Sequence, residues 1–241
     1  MKYSTELKSK FMRLLDAIHD KTLLLKYRNK PYFYYYREVV NKRAIRDPQE
    51  AVGGLWETNG EIQLERLKKY GLEPHHTLLD IGCGSLRGGR HLIGFLNKGN
   101  YTGVDISEDV LEAGRSVLKE YNLEEKRPAL IITSDLTLDC LKGETFDYIH
   151  AQSVLSHMPQ EDIEEYFSNL YKVMKKDSQF FASFFESKND EYHSIYRKQD
   201  FFYPFSMIED MARKYGLKVE KVDDAREGRK QQLMRITSVK E

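Results

Sequence analysis

Leu78-Leu79-Asp80-Ile81-Gly82-Cys83-Gly84-Ser85-Leu86-Arg87-Gly88-Gly89 is the stretch of this 241-residue chain that decides its fold. A short apolar run enters a glycine-rich turn, and a helical pattern follows. Glycine in such a turn permits positive φ and lets a ligand approach the backbone closely. The helix behind it presents N–H groups with no partner in the helix itself. Outward from this point, strand and helix patterns alternate. Helices are predicted over 61–70 (ended by Gly71 and Pro74), 86–96, 108–121 with Ser107 as N-cap, 162–174 and 207–215. Strands are predicted over 77–81, 101–106, 129–133, 146–152, 179–185, 217–222 and 232–238. Continuous apolar strands joined by helices predict an α/β class with a doubly wound, largely parallel sheet.

The composition sets bounds on function. Lys and Arg number 38 and so do Asp and Glu, so the formal net charge is zero. That argues against a nucleic-acid coat protein. Mean hydropathy is −0.63, and no stretch reaches the ~18 uncharged apolar residues of a membrane span. The first twenty residues lack an apolar run followed by a small-residue cleavage site, so no secretory leader is expected. Two cysteines, Cys83 and Cys140, make neither a disulfide framework nor a zinc cluster. No metal site is expected from the scattered histidines. Together these features predict a soluble cytoplasmic protein.

Three acids stand at consecutive strand ends, where ligands bind in open α/β sheets. Asp80 precedes the glycine loop. A carboxylate there would repel the pyrophosphate of a nicotinamide dinucleotide by ~1 kcal/mol or more, which disfavours an NAD-dependent oxidoreductase. It would attract an ammonium or sulfonium. Asp105 closes the next strand, where an acid holds a ribose diol in this class of fold. Asp135, in Ser134-Asp135-Leu136, follows the third strand and suits an exocyclic adenine amine.

With these residues in view, the chain resembles class I S-adenosylmethionine-dependent methyltransferases. LLDIGCGS, YTGVDIS, ITSDL and FDYIHAQSVLSHMP look like four successive motifs of that family, over about residues 60–185. Gly53 to Glu57, followed by LDIGCGSLRGG, resembles a bacterial subset of it. The resemblance implies a Rossmann-like seven-stranded sheet with an antiparallel last strand, and S-adenosylmethionine as cofactor. It implies that Asp80, Gly82, Cys83 and Gly84 surround the methionine moiety, Asp105 the ribose, and Asp135 with Leu136 the adenine. Ile106 would pack on the adenine ring. Gln152, at the end of the fourth strand, is a further candidate for the cofactor site and, with Ser153, could hydrogen-bond an acceptor.

Methyl transfer from a sulfonium needs alignment and a dry cavity more than acid–base help. A hydroxyl acceptor nevertheless often needs a base. His157, just before Met158-Pro159, is the candidate, set against a role in shaping the loop. His150 lies inside a strand and reads as a satisfied core residue. Ser153, His157 and Trp56 are the candidates for acceptor binding. The strand end reads Ala151-Gln152-Ser153-Val154, not Asn/Asp-Pro-Pro-Tyr/Phe, which disfavours methylation of adenine N6. No Pro-Cys pair exists for cytosine C5 chemistry.

Residues 1–58 read as a helical appendage or lid, and 59–241 as the cofactor-binding domain. Residues 21–46 hold eight Lys/Arg against one acid, interleaved with tyrosines. The segment suits either packing on the domain or docking of an anionic substrate. The expected activity is O-methylation of a small molecule or glycan. An RNA or protein methyltransferase, and a binding module without catalysis, are the alternatives.

Overall fold

The computed structural model describes residues 22–46, 56–195, 199–222 and 231–239. Among them nine strands form one mixed sheet flanked by helices. The parallel core runs β3 (Ala129–Ile132), β2 (Tyr101–Asp105), β1 (Leu78–Ile81), β4 (Phe146–Ala151) and β5 (Met174–Glu186). β9 (Gln232–Ser238) lies antiparallel to β5 on one side and to β8 (Leu217–Val222) on the other. The antiparallel last strand expected from the resemblance is therefore present. Beyond the seven expected strands there is a hairpin, β6 (His193–Ile195) with β7 (Asp200–Tyr203), docked on the far end of β5. Its strands are too short to carry a periodic signal.

Strand periodicity sorts the core into two layers. Leu79, Ile81, Ile149, Phe180 and Ala182 face α5 (Gln160–Asn169) and α6 (Phe205–Lys214). Leu78, Tyr101, Tyr148 and Phe181 face α2 (Trp56–Lys69), α3 (Gly89–Phe95) and α4 (Glu108–Glu120). Helix α4 shows why such a segment is helical: Val110, Leu111, Gly114, Val117 and Leu118 make one buried stripe. Ser107 Oγ accepts from Val110 N at its start.

Three helix boundaries differ from expectation, one of them at α5, which ends at Asn169 while Met174 already belongs to β5. Helix α3 begins at Gly89 rather than Leu86 because residues 82, 84 and 86 all have positive φ: 65°, 60° and 66°. Leucine in that conformation is strained by about 1–3 kcal/mol. Leu86 is held there by full burial against α3 and α4. Helix α2 starts at Trp56 and runs unbroken through Asn59 and Gly60, a pair that reads as a breaker. That helix crosses position 58, where the sequence suggested a boundary.

The appendage contributes residues 22–27, which are helical, and α1 (Tyr32–Arg46). Phe33 enters the α5/α6 layer of the core. The Tyr32 ring meets Phe201 edge-on at 5.1 Å. Helix α1 also rests on α4, so it reaches from the β6–β7 hairpin to α4. Lys26, Lys30 and Arg37 lie over the rings of Tyr27 and Tyr34.

Candidate active site

Strand order reverses between β1 and β4, and a crevice opens above such a reversal. Its two rims touch. A Cβ on Gly82 would sit 2.6 Å from Val154 Cγ2, so the glycine loop and residues 152–154 close on each other only because position 82 has no side chain.

Beneath the loop, Asp80 is buried with one oxygen accepting from Tyr101 Oη at 2.7 Å and the other facing His150 Nδ1 at 3.2 Å. Burial, with Asp80 alongside, pushes the Tyr101 hydroxyl far above its ordinary value. Asp105 closes β2, and its carboxylate accepts from Gly84 N at 2.9 Å and Ser107 N at 3.0 Å. Burial raises Asp105 to about 6, against the pull of those N–H groups. Cys83 is buried, and desolvation followed by Asp105 and Asp80 pushes its thiol well up. A thiol so placed is a space-filling group, not a nucleophile.

Ile106 is half-buried beside Asp105 and packs against the core. Asp135 is exposed, and its carboxylate accepts from Thr137 N at 2.9 Å and Thr137 Oγ1 at 2.7 Å. Leu136 is buried beneath it. The structure thus sets Asp80, Gly82, Cys83, Gly84 and Asp105 in direct contact or adjacency, with Asp135 one strand further out. Gly53 to Leu55, and the side chain of Trp56, lie outside the described residues.

At the β4 end, Gln152 and Ser153 belong to a polar cluster organised by Gln231. Gln231 Oε1 accepts from Gln152 Nε2 at 3.1 Å, Ser153 Oγ at 2.8 Å and Ser183 Oγ at 2.9 Å. Its Nε2 donates to Ser156 Oγ at 2.9 Å. Arg66 of α2 donates to Gln152 Oε1 at 3.2 Å. Ser153 has φ of 60°, and its N–H donates to Ser183 Oγ at 2.7 Å.

His157 ends a 3₁₀ turn and is buried. Its Nδ1 lies 2.6 Å from the Gln199 carbonyl, which can only accept, so Nδ1 carries a proton. Asp200 Oδ1 stands 3.6 Å from the same nitrogen. The ring stacks on Tyr36 of α1 at 5.5 Å and meets Phe185 edge-on at 6.3 Å.

Residues 79–180 match the family described as methyltransferase domain. The fold is also that of magnesium protoporphyrin IX methyltransferase from Synechocystis PCC 6803, solved with bound S-adenosylhomocysteine. That likeness has a TM-score of 0.64 at 16% identity, covering 86% of this chain and 99% of that one. Residues 79–180 are thus a methyltransferase domain, on the fold of class I S-adenosylmethionine-dependent methyltransferases.

A curated relative of the methyltransferase is the ubiquinone biosynthesis O-methyltransferase of Hydrogenovibrio crunogenus, 28% identical over 137 residues. The match takes in 50% of this chain and 54% of the relative, so it spans about half of that protein's length. The glycopeptide N-methyltransferase MtfA, solved with sinefungin, shares the fold with a TM-score of 0.59 at 14% identity, over 76% of this chain and 94% of that one. Among the described residues of the methyltransferase, no helix is long and apolar enough to cross a membrane.

Sequence reasoning missed Tyr101, Gln231 and Ser183. No motif marks Gln231, which reaches Ser153 only once β9 has closed the sheet. Tyr101 carries a faint signal, a polar ring at the head of a strand otherwise bound for the core.

Proposed function

We propose that this methyltransferase transfers a methyl group from S-adenosylmethionine to a hydroxyl of a small molecule or glycan. One observation carries the cofactor half of this reading. Asp80 and Asp105 are both buried under the crevice, and neither touches a Lys or Arg among the described residues. Buried carboxylates are costly without compensating charge or donors. A ligand that is cationic at its amino-acid end and offers a diol at its ribose supplies both. The positive-φ glycine loop leaves room for close approach of such a ligand, and the donor set fits it.

In this reading Asp80, with Gly82, Cys83 and Gly84, faces the methionine end, and Asp105 accepts from the ribose hydroxyls. Ile106 and Leu136 flank the adenine, and Asp135 accepts from its amine. Bound S-adenosylmethionine supplies a methyl group made electrophilic by positive sulfur, transferred by in-line displacement. Gln152 and Ser153, fixed by Gln231, orient the acceptor from the β4 side, while α1 excludes water across the strand ends. His157 orders the turn beneath α1. Its clamping by Gln199, Tyr36 and Phe185 supports this positioning role over proton removal.

The acceptor half rests on the uncharged amides and hydroxyls of the Gln231 cluster, which suit a polar hydroxyl, and on the O-methyltransferase named among the relatives. Calorimetric titration with S-adenosylmethionine and S-adenosylhomocysteine tests the cofactor. A screen of sugars, nucleotide sugars and phenols for release of S-adenosylhomocysteine tests the acceptor. No binding of either cofactor form sinks the whole reading. Turnover confined to amines sinks the hydroxyl.

A further inference from the structure

We propose that His150 is a cofactor-binding residue whose Nε2 accepts a hydrogen bond from the α-ammonium at the methionine end; this rests on the cofactor reading above. His150 is 1% exposed, yet its Nε2 is buried with no hydrogen-bond partner among the described residues. Its other nitrogen is committed. Asp80 accepts a hydrogen bond from the Tyr101 hydroxyl on one oxygen and faces His150 Nδ1 with the other, so Nδ1 is the protonated nitrogen. In the neutral ring that leaves Nε2 as a bare acceptor, and a buried polar atom left in that state is unusual enough to need an explanation.

The ring's position supplies one. Asp80 and His150 are register partners on β1 and β4, the two strands between which the order reverses. The next residues on the same face, Gly82 and Gln152, form the rim of the crevice, so His150 lies one layer beneath it. Its partner on the following strand is Phe181, which has nothing to donate. The Gln152 amide above donates to Gln231 and makes no bond to the His150 ring. The missing donor is therefore a group that enters from the crevice. The cofactor's methionine end brings three N–H donors to a place where Asp80 already favours positive charge. Tyr101, Asp80 and His150 then form a chain in which Asp80 fixes the tautomer and His150 reads the ammonium.

The test is calorimetric binding of three probes to the wild type and to His150→Asn. Asparagine keeps an N–H for Asp80 and removes the Nε2 position. S-adenosylmethionine and its decarboxylated form both carry an ammonium, whereas 5′-methylthioadenosine lacks the amino-acid end altogether. Affinity for the first two should fall about tenfold, and that for 5′-methylthioadenosine should stay within about twofold. His150→Gln, which returns an amide acceptor near the Nε2 position, should recover part of the loss. Equal losses for all three probes, or none, overturn the proposal. So does a loss for S-adenosylmethionine alone, which would assign the contact to the carboxylate. Should His150→Asn unfold, His150→Gln decides through the same three ratios. Failure of the wild type to bind any probe would instead show that the cofactor reading beneath the proposal is wrong.

Discussion

Gly103 on β2 and Cys83 in the glycine loop occupy space that only one side chain can fill. A Cβ at position 103 would lie 2.8 Å from Cys83 Sγ and 3.0 Å from Cys83 Cβ. Gly103→Ala should therefore lower stability by about 1–3 kcal/mol and push the loop off β2. Cys83→Ala removes the closer atom. Combined with Gly103→Ala it should recover part of the loss, because the two sites share one volume. Urea unfolding of the four variants in a cycle checks this, and strictly additive losses would contradict it.

His157→Ala should remove both the hydrogen bond to the Gln199 carbonyl and the stack with Tyr36, at a combined cost of about 2 kcal/mol. Tyr36→Ala should share part of that cost, with a coupling near 1 kcal/mol in the double variant. Cofactor affinity should fall along with melting temperature. A selective loss of turnover of about 10²–10⁴-fold, at unchanged cofactor affinity, would make His157 the base instead.

Asp105 titrates at about 6 in the fold, above the ordinary value of 3.8, because of burial. The folded state therefore holds a proton that the unfolded chain has already released. Through this group alone, stability is greatest below about pH 4 and declines by about 3 kcal/mol as pH rises through 6. Ligand binding runs the other way, since the ionised carboxylate is the better acceptor for a ribose diol. The dissociation constant for S-adenosylhomocysteine should drop between pH 5 and 7.5. Asp105→Asn should flatten that profile and weaken binding at pH 7.5 at least tenfold, or roughly 1.4 kcal/mol.

Asp162, in the first turn of α5, is buried and raised to about 7, first by desolvation and then by Glu161 and Glu165. The sign is the same as for Asp105: its ionisation weakens the fold as pH rises from about 4 to 7. Asp162→Asn should stabilise the protein at pH 8 by about 2 kcal/mol, with the gain shrinking as pH falls and vanishing only below about pH 4. Melting curves of the two proteins across that range measure it.

The parallel core was legible because each of its strands is an apolar run, and the glycine loop because positions 82 and 84 hold the residue that left-handed φ favours. Leu86 was not, since leucine is the wrong residue for the conformation it adopts, and only α3 and α4 packed around it hold it there. The β6–β7 hairpin escaped notice because its pairing comes from the overhang of β5 rather than from any alternation of its own. His150 read as a core histidine from its place in a strand. It is buried, but it is not the satisfied residue expected, because one ring nitrogen has no partner among the described residues, a fact of three dimensions that no spacing records.

Helix α1 precedes the sheet in the chain, yet its rings meet residues far along it. Tyr36 leaves the ribosome long before His157, and Tyr32 long before Phe201, the rings they meet in the finished protein. Contacts between residues so far apart form slowly, whereas β1, β2 and β3 need only their near neighbours. A ligand that binds only beneath the docked helix would, by mass action, hold α1 in place.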